Sequence, residues 1–114
     1  MNLLEMQQLF AELSVKLLAR ILSSGYQFTY GETSRDPRVA SLNADTGAGI
    51  KKSLHVDRLA IDINLYKDGK YLMFSADHKD FGKFWKSLHP LCRWGGDFSK
   101  PDGNHYSLTW QGRA

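Results

Sequence analysis

Two histidines and an aspartate set the terms of any chemistry this chain could do. His55 follows a polar, Gly-containing stretch. Asp62 lies on the polar side of the alternating run Leu59-Ala60-Ile61-Asp62-Ile63-Asn64-Leu65, and His105 opens a second such run, His105-Tyr106-Ser107-Leu108-Thr109-Trp110. Alternation of this kind predicts strands. If the two strands are neighbours, His55, Asp62 and His105 converge on one point. Two imidazoles and one carboxylate form a normal ligand set for a catalytic zinc, with the fourth position left to water. Asp102, three residues before His105, is within reach of that water as a general base. With four histidines in 114 residues, spacing alone does not separate this triad from a chance grouping. The local strings carry the argument further.

Ser53-Leu54-His55-Val56-Asp57-Arg58-Leu59-Ala60-Ile61-Asp62 resembles the S-x-H-x-x-G-x-A-x-D signature of the D-alanyl-D-alanine carboxypeptidase family of zinc peptidases. Asp102-Gly103-Asn104-His105 resembles that family's downstream acid-x-x-His element, in the form with Asp used by the L-alanyl-D-glutamate peptidases of phage. Trp94-Gly95-Gly96-Asp97-Phe98 is similar to a stretch of phage and prophage members. The resemblance runs from about Gly31 to Leu108. It implies that His55, Asp62 and His105 are the zinc ligands and Asp102 the catalytic acid/base. It also implies that Arg35 faces the substrate carboxylate or the developing oxyanion, with Arg38 as a substitute, and that Ser53 supports the site by hydrogen bonding. One position departs: the signature glycine is Arg58. The implied reaction is hydrolysis of a peptide bond in the peptidoglycan stem peptide, either L-Ala-D-Glu or D-Ala-D-Ala, by a phage or prophage lysis enzyme.

The elements that must position these residues follow from periodicity. Leu3, Leu4, Gln7, Phe10, Ala11, Ser14, Leu17, Leu18, Ile21 and Leu22 recur at helical spacing, which predicts an amphipathic helix over 2–23 stopped by Gly25. Tyr26, Phe28 and Tyr30 alternate like a short strand, and 39–44 could make one or two helical turns. Lys67-Asp68-Gly69-Lys70 reads as a hairpin turn leading into a strand over 71–74. Phe81, Phe84, Trp85 and Leu88 share one face of a second helix over 76–89, stopped by Pro90. The expected fold is α+β: a small, mainly antiparallel sheet packed against two or three helices, hedgehog/DD-peptidase-like by resemblance. The length fits one catalytic domain over 1–114.

Composition bounds the alternatives. Hydrophobic residues make up 42% and charged residues 24%, which excludes a disordered chain. A net charge of +3 is too small for a nucleic-acid footprint, and no nucleic-acid module is recognisable, so no nucleic-acid partner is expected. Nor is stable membrane association, since no stretch approaches the ~20 apolar residues of a span. A monomer is expected. With no signal peptide, the protein is expected to be made in the cytoplasm and to act on the wall after release through a permeabilised membrane. One cysteine, Cys92, excludes an internal disulfide. Paired with His105 it could define a cysteine-type hydrolase, though a small buried thiol is the commoner role after Pro90. His78 and His89 read as surface or capping residues. The other rival is a non-catalytic wall-binding domain that keeps the metal site.

Overall fold

The computed structural model describes residues 1–31 and 54–114. Arg35, Arg38, Ser53 and the turns expected over 39–44 lie outside the described residues. Helix α1 (Leu3–Ser23) begins at a capping box: Asn2 accepts from the Glu5 amide, and Glu5 accepts from the Asn2 amide. It ends in a Schellman turn, with the Tyr26 amide on the Ile21 carbonyl, the Gly25 amide on that of Leu22, and Gly25 at φ +87°.

The buried stripe of α1 is Met6, Phe10, Leu13, Leu17 and Ile21. This rotates the helix from the face expected. Leu4, Ala11 and Leu22 are exposed, while Met6 and Leu13 reach the core. The expected and observed stripes share Phe10, Leu17 and Ile21; at the margin Met6 and Leu13 are buried, whereas Gln7, Ala11 and Ser14 are not. Large side chains bury more apolar area per turn, so they win the inner face.

Among the described residues five strands follow: β1 (Gln27–Tyr30), β2 (Ala60–Lys67), β3 (Lys70–Leu72), β4 (Cys92–Trp94) and β5 (His105–Leu108). All pairings are antiparallel. The order is β1-β2-β5-β4, with β3 pairing the end of β2 beyond β5. Asp68 (φ +52°) and Gly69 (φ +78°) make the β2–β3 turn, two left-handed residues as a tight hairpin requires. Strand β3 is shorter than expected. Its next pairing position on β2 would reach towards Ile63, whose amide is taken by the Asn104 carbonyl at 2.9 Å, so Met73 and Phe74 leave the sheet exposed.

A 3₁₀ turn (Ser75–His78) precedes helix α2 (Lys79–Leu88), so the second helix starts later than its apolar pattern suggests. Both helices pack on the side of the sheet formed by Ile61, Ile63, Leu65, Tyr106 and Leu108. Trp85 joins the layers, its ring edge-on to Phe10 and to Tyr106, and its indole N–H donating to the carbonyls of Arg93 and Ser107. The observed α+β architecture is the expected one.

Candidate metal centre

His55 sits in a turn over 54–58 whose backbone is a second Schellman motif. The Leu59 amide bonds to the Leu54 carbonyl and the Arg58 amide to that of His55, with Arg58 at φ +59°. Such a position favours glycine, because an L side chain crowds the backbone there. The glycine of the signature would suit this backbone, and Arg58 adopts it here. The Gln7 side chain ties the turn to α1 by donating to the Asp57 carbonyl at 2.9 Å.

Asp62 and His105 are direct partners in the β2–β5 register. In an antiparallel pair, side chains opposite each other share a face, so two adjacent strands deliver a carboxylate and an imidazole to one spot. On the far side of β2 the Gly31 amide donates to the Asp62 carbonyl, and a Cβ on Gly31 would crowd Asp62 Cβ at 3.0 Å. The chain therefore passes tightly behind the carboxylate.

His55 Nε2 lies 3.4 Å and His105 Nδ1 3.3 Å from the same oxygen, Asp62 Oδ1. The three residues offer ligand atoms that all lie within 4.8 Å of one another. These separations are long for charge-assisted hydrogen bonds, which favour about 2.7–2.9 Å. They match the edge of a tetrahedron with metal–ligand bonds of about 2.0–2.1 Å, which is about 3.3 Å. Two imidazoles and a carboxylate also suit zinc in kind. The donor set fits the metal in chemistry, and the two edges that meet at Asp62 fit it in spacing.

Burial by itself would raise the pKa of Asp62, but hydrogen bonds from His105 and His55 and their charges outweigh it and lower it to about 2. The carboxylate is therefore ionised and ready to ligate. Both imidazoles are buried, stand edge to face with centroids 5.3 Å apart, and Phe98 packs against His105.

Asp102 stands on the turn before β5, beside a groove of about 180 Å³ lined in part by Phe74, Ser75, His78, Gly103 and Asn104. Its pKa is raised by burial and by the charge of Asp62, against the opposing pull of His105 and His55. Its carbonyl accepts from the His105 amide at 3.0 Å, which ties the turn to the cluster. The structure thus brings together His55, Asp62 and His105, with Asp102 adjoining, while Arg35 lies outside the described residues.

His78 is not a surface residue. It is 3% exposed, with Nδ1 2.8 Å from the Tyr106 hydroxyl, and burial lowers its pKa to about 4 against a weaker pull from Asp77. Neither its spacing nor its neighbours in sequence signalled this, because the partner is 28 residues away. His89 does cap: its Nδ1 accepts from the Leu91 amide at 3.1 Å. Cys92 is buried in β4, and burial raises its thiol to about 11.

The sequence profile of the D-alanyl-D-alanine carboxypeptidases matches residues 46–108, a span that holds His55, Asp62, Asp102 and His105. No curated protein matches the chain. Among solved structures, the Serratia marcescens L-Ala D-Glu endopeptidase ChiX is similar in fold, with a TM-score of 0.70 at 19% sequence identity, over 87% of this chain and 79% of that one.

Proposed function

The chain belongs to the D-alanyl-D-alanine carboxypeptidase family, and from that premise we propose that it is a zinc-dependent peptidase of the peptidoglycan stem peptide. The observation that carries the reading is the His55–Asp62–His105 cluster, with both imidazoles 3.3–3.4 Å from one Asp62 oxygen and Asp102 bonded through its carbonyl to the His105 amide. His55, Asp62 and His105 would hold the ion. When bound, zinc supplies Lewis acidity, polarising the scissile carbonyl and acidifying the attacking water. The Asp102 carboxylate takes the proton from that water and returns it to the departing amine, so the carboxylate is regenerated each turnover. Arg35, by the family resemblance, holds the substrate carboxylate or the oxyanion.

Purified peptidoglycan treated with the protein, then with the protein after chelation, then after zinc add-back, tests the reading. Cleavage lost and recovered supports it. Cleavage that survives chelation but ends with thiol alkylation transfers the chemistry to Cys92, and no cleavage in any state leaves a wall-binding domain. Mass spectrometry of the released muropeptides distinguishes L-Ala-D-Glu from D-Ala-D-Ala cleavage. A role in phage or prophage lysis belongs to the same proposal. It predicts that cells expressing the protein stay intact until their membrane is permeabilised, whereas lysis of cells with sealed membranes removes that role.

A further inference from the structure

The turn that carries Asp102 is held by groups outside the metal cluster. Gly103, the next residue, has both sides of its backbone engaged: its N–H donates to Ser75 Oγ at 2.9 Å, and its carbonyl accepts from the Trp94 indole N–H at 2.7 Å. Asp102 is tied on either flank, its amide donating to the Gly95 carbonyl at 2.9 Å and its carbonyl accepting from the His105 amide at 3.0 Å. The approaches are too close for side chains. A Cβ on Gly95 would collide with the Asp102 carbonyl, and one on Gly103 with the backbone of Ser75.

Trp94 is itself seated with little freedom. A Cβ on Gly82 of α2 or on Gly96 would run into its ring, so the indole lies in a slot that two glycines keep open. The ring is 8% exposed, and Lys86 lies over it while ion-pairing with Asp97. Its hydrogen-bonding edge is thereby aimed at Gly103.

We infer that Trp94 and Ser75 are positioning residues for Asp102, gripping the two peptide groups that flank the Gly103 α-carbon and so fixing the carboxylate against the metal cluster. The inference rests on the peptidase reading and extends it. Neither residue touches the cluster, and each acts through the Asp102 turn. A general base must sit within hydrogen-bond reach of the proton it takes, and displacement by about 1 Å can cost up to ~10²-fold in rate.

Trp94→Phe tests this, because it keeps a ring in the glycine slot and removes only the N–H. On soluble muropeptides kcat falls about 10–100-fold with KM within about twofold of wild type. Metal content stays at one per chain, and the Gly103 amide exchanges with solvent faster than in wild type. Ser75→Ala shows the same pattern. Wild-type kcat in metal-loaded Trp94→Phe overturns the inference alone. Loss of metal from that variant also overturns it, because the indole would then be assembling the cluster rather than placing Asp102. If wild-type protein cleaves no muropeptide, the peptidase reading itself fails and the inference fails with it, an outcome separable from the other two.

Discussion

At the scale of single residues, the cluster and its neighbour make different demands. His55, Asp62 and His105 offer ligand atoms within 4.8 Å of one another, so on the proposed reading truncating any of them removes a ligand. His55→Ala, Asp62→Ala and His105→Ala are each expected to lose bound metal together with activity, as an elemental assay of the purified proteins would show. Asp102→Asn preserves shape while removing the proposed base. It should keep about one metal per chain while turnover drops ~10²–10⁴-fold, and near-wild-type turnover would take Asp102 out of its role. Cys92 gives the opposite expectation. With a thiol at about 11, only roughly one molecule in 10⁴ is thiolate at pH 7, and the side chain is buried. Alkylation of the folded protein should be slow, and Cys92→Ala should hydrolyse muropeptides as wild type does. Rapid labelling accompanied by inactivation would revive the cysteine-hydrolase rival. The cluster was legible in the sequence because its residues lie in two short strings that resemble a family signature; strand period by itself puts only Asp62 and His105 on matching faces, and His55 lies in a turn. His78 was not, because what buries it is Tyr106, a contact made only once the sheet has formed.

At the scale of elements, the two Schellman turns make an internal comparison. One is closed by Gly25 and the other by Arg58, both with left-handed backbone. A left-handed L residue costs about 1–2 kcal/mol, and glycine gives back roughly 0.5–1 through its larger unfolded-state entropy. Arg58→Gly should therefore stabilise the protein by about 0.5–1 kcal/mol, a rise of a few degrees in melting temperature, with metal binding intact. A lower melting temperature would mean that the Arg58 side chain contributes more than its backbone costs. The element pattern was legible where periodicity ran long, as in α1 and β2. It was less so where neighbours decide the ends: β3 stops early because Asn104 takes the Ile63 amide, and three-residue β4 is too short for any period to register. The centre of the α1 face was legible in Phe10, Leu17 and Ile21, but its margin needed the core itself, since only packing against Trp85 and the sheet brings Met6 and Leu13 inside.

At the scale of the whole molecule, His78 links the core to pH. It lies at the junction of the 3₁₀ turn and α2, and its ring faces Tyr106 at the centre of the sheet. Its pKa is lowered from 6.5 to about 4 in the folded protein, burial being the dominant cause and Asp77 a partial offset. Above pH 6.5 the ring is neutral whether the chain is folded or not, and stability is unaffected. As pH falls from 6.5 towards 4, the unfolded chain binds a proton that the folded one refuses, so unfolding becomes easier. The loss is complete once pH passes below the folded value, and the full shift corresponds to about 3 kcal/mol. That amounts to on the order of 10 °C in a domain of this size. His78→Gln keeps a group able to reach the Tyr106 hydroxyl but cannot titrate. Because the other histidines are common to both proteins, the difference between their melting curves from pH 7 to pH 4 isolates this one group. Metal-free wild type should lose markedly more stability than metal-free His78→Gln across that interval. Parallel curves would show that the buried ring is protonated as readily in the folded protein as in the unfolded chain.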